Sequence, residues 1–179
     1  MTFYQANILI DERRRVQLAD FGLLTILSDS ATCSSAHGGT FRWMAPELFD
    51  PEKLGLERGY RSESSDCYAL GMVVYEVLSE RIPFHQYANF VVPRKVVEGQ
   101  RPRRPEGMEG ALFTDNLWKV LEGCWMPLPG DRLQAEDVLR RLEQVSGSWT
   151  PLSQVGGASK ATHLPSLGFS ELLIGKTTD

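Results

Sequence analysis

From Ser64 to Glu80 the chain reads "SSDCYALGMVVYEVLSE", and after its polar start the apolar side chains fall on nearly every face of a helix. An apolar stripe would mark a surface helix, whereas an all-round apolar pattern marks one enclosed by protein. Serine and aspartate at the front are helix start signals, since a side-chain oxygen there can accept from free backbone N–H groups. Three further stretches, "NFVVPRKVVEG", "TDNLWKVLEGCW" and "QAEDVLRRLEQV", also predict helices. Near the N-terminus, "NILI" and "RVQLA" are short β-type runs around the charged turn "DERR", and they predict a small hairpin. The predicted class is mainly α with that one hairpin.

Two stretches cannot bury much. Residues 28–39, "SDSATCSSAHGG", carry almost no large apolar side chain and predict a surface loop. Past Val145 the chain turns to Ser, Gly, Thr and Pro in "SGSWTPLSQVGGASKATHLPSLG", the composition of a segment that does not pack. The expected organisation is a domain over 1–145 and a disordered tail over 146–179.

Composition narrows the function classes. The 179 residues are 42% hydrophobic and 23% charged, which suits one globular domain. A net charge of −4 gives no reason to expect nucleic acid or an anionic membrane as a partner. The basic runs "ERRR" and "RPRRP" are broken by acids or prolines and read as solvated surface. The longest apolar run is interrupted by Gly71 and Glu76 and is too short to span a bilayer. Cys33, Cys67 and Cys124 lie far apart with no metal spacing, so a reducing, cytoplasmic setting is expected. His37, His85 and His163 each lack a second ligand at metal-binding spacing. The late "GKTT" is not a phosphate loop, because Gly168 and Gly175 have the wrong spacing and no strand precedes them.

The order of motifs between Asn7 and Arg132 resembles the C-terminal lobe of a eukaryotic protein kinase. "ANILI" resembles the end of the catalytic loop, "LADFG" the metal-binding DFG motif, and "GTFRWMAPE" the close of the activation segment. "SSDCYALG" resembles the start of the long buried helix of that lobe, and "CWMPLPGDRL" its closing Cys-Trp and Arg signature. "RWMAPE" with the later "CW" is similar to the tyrosine-kinase-like group in particular. Each motif alone is weak, but five in order make a chance match remote.

The resemblance implies chemistry that the residue types can support. ATP phosphoryl transfer builds charge that magnesium ions, held by an Asp and an Asn, neutralise. By resemblance Asp20 and Asn7 are those ligands, and ATP and Mg2+ are the cofactors of the parent family. In the catalytic loop H-R-D-x-x-x-x-N the base lies five residues before the Asn, and here that position is Thr2. Threonine does not accept a substrate hydroxyl's proton near neutral pH as a carboxylate does. The family's Arg position is Met1, its Lys position is Tyr4, and the N-terminal lobe with its Gly-rich loop and strand lysine has no counterpart in these residues. The expectation is therefore a truncated product, inactive as given.

Other positions carry over one by one. Glu47 of "APE" and Arg132 of "GDRL" resemble the ion pair tying the activation segment to the last helices. Asp66 reads two ways, as the carboxylate that holds the catalytic loop or as a helix N-terminal acid favoured by the macrodipole. Thr40 resembles the threonine of Ser/Thr and tyrosine-kinase-like enzymes, favouring a Ser/Thr parent. Ser28, Ser30, Thr32, Ser34 and Ser35 crowd the loop as possible phosphorylation positions. "ERIPF" resembles the turn after the buried helix, with Arg81, Pro83 and Phe84 in a packing role. Two classes stay open: a fragment derived from an ATP-dependent Ser/Thr protein kinase, and a non-catalytic pseudokinase-type interaction module. Either implies a protein substrate or docking partner, with the oligomeric state open.

Overall fold

The computed structural model describes residues 8–12, 16–18, 41–108 and 110–147. Strand β1 (Ile8–Ile10) pairs antiparallel with β2 (Val16–Leu18), Leu9 facing Gln17. Helices α1 (Glu63–Ser79), α2 (Val92–Val97), α3 (Asp115–Cys124) and α4 (Ala135–Gly147) make the described part mainly helical. Single 3-10 turns precede α1 and connect later helices, and two that precede α1, Phe41–Trp43 and Pro46–Leu48, matter most below.

Helix α1 starts where Ser62 and Ser65 bond reciprocally, each hydroxyl accepting from the other's backbone N–H, so two orphan donors are satisfied at once. It ends at Glu80, whose left-handed φ of 54° stops the helix. Between these ends Tyr68, Ala69, Met72, Val73, Val74, Tyr75 and Leu78 are buried, on faces all round the cylinder. The enclosing neighbours are α3, α4 and the Phe41–Trp43 turn. Gly71 permits the closest of these approaches, since a Cβ there would lie 2.7 Å from Trp125 Nε1 and 2.9 Å from Cys124 Cβ.

The other helices follow amphipathic logic. Helix α3 is capped by Thr114, whose hydroxyl accepts from Leu117 N at 3.3 Å, and it buries Leu117, Val120, Leu121 and Cys124. Helix α4 buries Val138, Leu142 and Val145 at spacings of four and three, and runs to Gly147. Helix α2 is shorter than "NFVVPRKVVEG" suggested: Asn89–Val91 is a 3-10 turn, Pro93 sits in the first helical turn, and Gly99 at φ 85° follows the end. Tyr75, Phe113, Trp118 and Trp125 form a chain of aromatic contacts with centroids 5.7 to 6.1 Å apart beside α3. Burying any one of these side chains contributes roughly 1.5–3 kcal/mol, so the core rests on α1 and α3 together.

Candidate functional site

The densest polar construction in the described residues lies where the Pro46–Leu48 turn meets the N-terminal end of α1. Arg132 reaches into it from the loop before α4. Its Nη1 donates to Glu47 Oε1 at 2.7 Å and its Nη2 to Glu47 Oε2 at 2.6 Å, a bidentate pair whose side chains are 0% and 3% exposed. The remaining donors go to backbone carbonyls, Nε to Met126 at 2.9 Å, Nη1 to Ser64 at 3.0 Å and Nη2 to Pro127 at 3.1 Å. All five guanidinium N–H groups are thus used, which is the condition under which a buried cation is tolerated.

Tyr68 lies beneath this pair. Its ring sits 5.1 Å from the Arg132 guanidinium carbon and 5.2 Å from that of Arg101. The Tyr68 hydroxyl is fully buried without a hydrogen-bond partner among the described residues, and burial pushes it up to about 12. Gly59 completes the packing, because a Cβ there would sit 2.1 Å from the Glu47 carbonyl oxygen.

Two further residues of the "FRWMAPE" segment are fastened to α1 and to the turn that follows it. Trp43 Nε1 donates to Glu76 Oε2 of α1 at 2.9 Å, in a buried contact. Burial raises the Glu76 carboxyl, with the Trp43 bond pulling the other way. Arg42 sends Nη1 to the Pro83 and Phe84 carbonyls at 2.8 and 2.6 Å and Nη2 to that of Tyr87 at 2.8 Å. Its burial lowers the guanidinium's proton affinity.

Of the residues singled out from the sequence, the structure brings Glu47 and Arg132 into contact. Asp66 lies in the first turn of α1, half-buried, with its carboxyl raised by burial against a smaller opposing pull from Arg61. Thr2, Asn7, Asp20, Thr40, the loop positions from Ser28 to Ser35 and everything after Gly147 lie outside the described residues. Among the described residues no group of three or more His, Cys, Asp or Glu side chains could hold a metal. No described helix is long and apolar enough to cross a membrane.

Sequence reasoning missed Arg42, the Trp43–Glu76 bond and Arg101. Arg101 is not solvated surface, since it donates to the Trp125, Val96 and Gln100 carbonyls at 2.8, 3.0 and 2.7 Å. A glutamate inside the otherwise apolar α1 was the one available signal, because a buried carboxylate needs a donor. Arg81 departs from its expected packing role: Pro83 and Phe84 are buried, but Arg81 is exposed. It stands on the edge of a groove of about 390 Å3 between the turn after α1 and the "RPRRP" stretch.

A family model described as protein tyrosine and serine/threonine kinase matches residues 3–142. The dual specificity protein kinase pyk3 of Dictyostelium discoideum is 33% identical over 144 residues, covering 80% of this chain and 10% of that protein. The serine/threonine-protein kinase STY17 of Arabidopsis thaliana is 29% identical over 141 residues, 78% of this chain and 22% of that one. The cytoplasmic tyrosine-protein kinase BMX of Mus musculus is 32% identical over 140 residues, 76% of this chain and 20% of the relative. The chain thus spans a quarter or less of the length of each of these relatives.

Proposed function

This chain belongs to the protein tyrosine and serine/threonine kinase family, and we propose that its helices form the C-terminal lobe of a protein kinase domain derived from an ATP-dependent Ser/Thr kinase. The observation that carries this reading is the buried Glu47–Arg132 pair, which joins "APE" to the loop before α4 across 85 residues of sequence. A chance motif match gives no reason for those two side chains to meet, dry and bidentate.

Kinases of this family use ATP and magnesium. Asn7 and Asp20 offer an amide and a carboxylate oxygen, a donor set that suits magnesium's preference for hard oxygen ligands. Magnesium held there would neutralise charge on the phosphates during transfer. Thr2, at the position of the base, has no carboxylate to receive the acceptor hydroxyl's proton. We therefore expect these 179 residues alone to transfer no phosphate. Thr40 supports serine and threonine as the parent's acceptors, while the relatives span serine/threonine, dual-specificity and tyrosine kinases. The domain is proposed to extend from residue 1 to residue 147, past the composition change at Ser146 because α4 runs to Gly147, with a disordered tail over 148–179, and two buried free thiols, Cys67 and Cys124, suit a reducing cytoplasm.

The experiment is a radiolabelled ATP assay of the purified chain on generic serine/threonine and tyrosine substrates. No incorporation is the expected result. Incorporation that disappears in Asp20→Asn would overturn the inactivity while leaving the family membership intact. The second reading, a non-catalytic interaction module, is favoured by the groove beside Arg81.

A further inference from the structure

Arg42 and Arg132 are both buried, 9% and 3% exposed, and each donates to three backbone carbonyls. Arg132 adds a carboxylate, gripping both oxygens of Glu47. Arg42 pairs with no acid among the described residues. Glu76 belongs to α1, the helix against which the Phe41–Trp43 turn packs, but its carboxylate accepts from Trp43 instead. A cation taken out of water needs either a full set of acceptors or a counter-ion, and Arg42 has neither.

The unused donors are specific. Nη1 makes two of the Arg42 bonds and Nη2 makes one, so of the five guanidinium N–H groups the Nε–H and one N–H of Nη2 donate to no described residue. Nε and Nη2 stand on one edge of the planar group, the edge by which arginine takes a carboxylate or phosphate side-on. Nε is not one of the fully enclosed nitrogens that lack a partner, so an incoming group can reach it. Burial alone acts on this guanidinium, lowering its proton affinity, with no neighbouring carboxylate to oppose the effect. Arg101 also rests on three carbonyls without an acid, but it is only half-buried and lies over the Tyr68 ring, so water and ring complete its surroundings.

We propose that the open edge of Arg42 is a binding site for an oxyanion of the carboxylate or phosphate type, which takes the place at Arg42 that Glu47 takes at Arg132. The Pro83, Phe84 and Tyr87 carbonyls hold the guanidinium in one orientation before the anion arrives, so little ordering is left to binding. The site lies within "FRWMAPE", the segment that Glu47 anchors at its other end. Because it requires no phosphate transfer, its failure would leave the proposed function standing.

The test follows the arginine Nε–H resonances of the full chain, labelled with nitrogen-15 at arginine, in proton–nitrogen correlation spectra. Sodium acetate and sodium phosphate are titrated separately, with ionic strength balanced by sodium chloride because salt alone screens charge. Arg42 is identified by the resonance missing from Arg42→Lys. Should that variant lose its helical circular dichroism, through-bond assignment of the parent chain serves instead. The Arg42 resonance should shift saturably with at least one of the two anions; tighter saturation by acetate assigns a carboxylate ligand, and tighter saturation by phosphate assigns a phosphate. The Arg132 and Arg101 Nε–H groups already donate to the Met126 and Trp125 carbonyls and should stay in place. An Arg42 resonance that saturates with neither anion, one that moves as far with sodium chloride alone, or one whose shift Arg132 follows would each overturn the proposal.

Discussion

Two ion pairs of nearly equal length sit in very different places. Arg132 and Glu47 approach to 2.6 Å, and Arg94 of α2 and Glu98 just past its end approach to 2.7 Å. By distance they are the same interaction. The first is sealed from water, bidentate, and has every remaining donor of its arginine spent on backbone carbonyls. The second is one contact at an i, i+4 spacing, with the Arg94 side chain 81% exposed. The difference lies in what happens when a partner is removed. Water replaces Glu98 at the surface, but nothing replaces Glu47 in the interior.

The largest test of this contrast is Arg132→Ala. It strands a buried carboxylate and three carbonyls, an expected loss of about 3–5 kcal/mol, against a typical total margin of roughly 5–15 kcal/mol. Chemical denaturation should show the variant largely unfolded or recovered only as insoluble protein. A stable, soluble Arg132→Ala would mean the pair does not organise the fold.

Tyr68→Phe sharpens the same site from the other direction. It keeps the ring between two guanidinium groups and deletes a buried hydroxyl that has no partner among the described residues. The variant should be as stable as the parent or more stable by about 1 kcal/mol. A clear loss in the denaturation midpoint would reveal a hidden partner for that hydroxyl.

Glu76 supplies an intermediate case, a buried carboxylate whose partner, Trp43 Nε1, is neutral. Burial raises its folded-state proton affinity, so the folded chain holds that proton more tightly than the unfolded chain does. The corresponding stability is fully present below the ordinary carboxyl value of 4.5 and is lost as pH rises through the higher folded value. Glu76→Gln keeps an acceptor for Trp43 and removes the titration. Its stability relative to the parent should therefore rise between pH 4.5 and neutrality in melting experiments. A difference that stays flat or falls would show that the carboxylate is not penalised there.

The smallest effect belongs to Arg94→Ala, which should leave the melting temperature unchanged within error. Arg103→Ala, an exposed change with no described partner, should alter stability by less than about 0.5 kcal/mol.

The helical core was legible because its signal is periodic and local. The all-round apolar run gave α1, and the amphipathic stripes gave α3 and α4. Helix α2 was overextended because the apolar run "NFVV" carries no mark separating a 3-10 turn from the α-helix that follows it. The pairing of Glu47 with Arg132 was readable only through family resemblance, since two charged residues far apart in sequence carry no pattern of their own. Arg42 and Arg101 were not legible at all. Their partners are backbone carbonyls, which every residue possesses, so no side-chain code announces them. The basic groove was hidden for a related reason: Arg81 and Arg103 are distant in sequence, and only the turn after α1 brings them to one concavity.

Phe84 combines a fully buried side chain with a φ of 54°, a conformation that a bulky residue rarely adopts and that costs on the order of 1–3 kcal/mol. Arg42 clamps that residue's own carbonyl and those of Pro83 and Tyr87, so the strained turn and the Phe41–Trp43 turn behave as one mechanical part. Linkage between such parts runs both ways. To whatever extent an occupant of the groove shifts the segment ending in "APE", a change imposed on that segment alters affinity at the groove by the same factor.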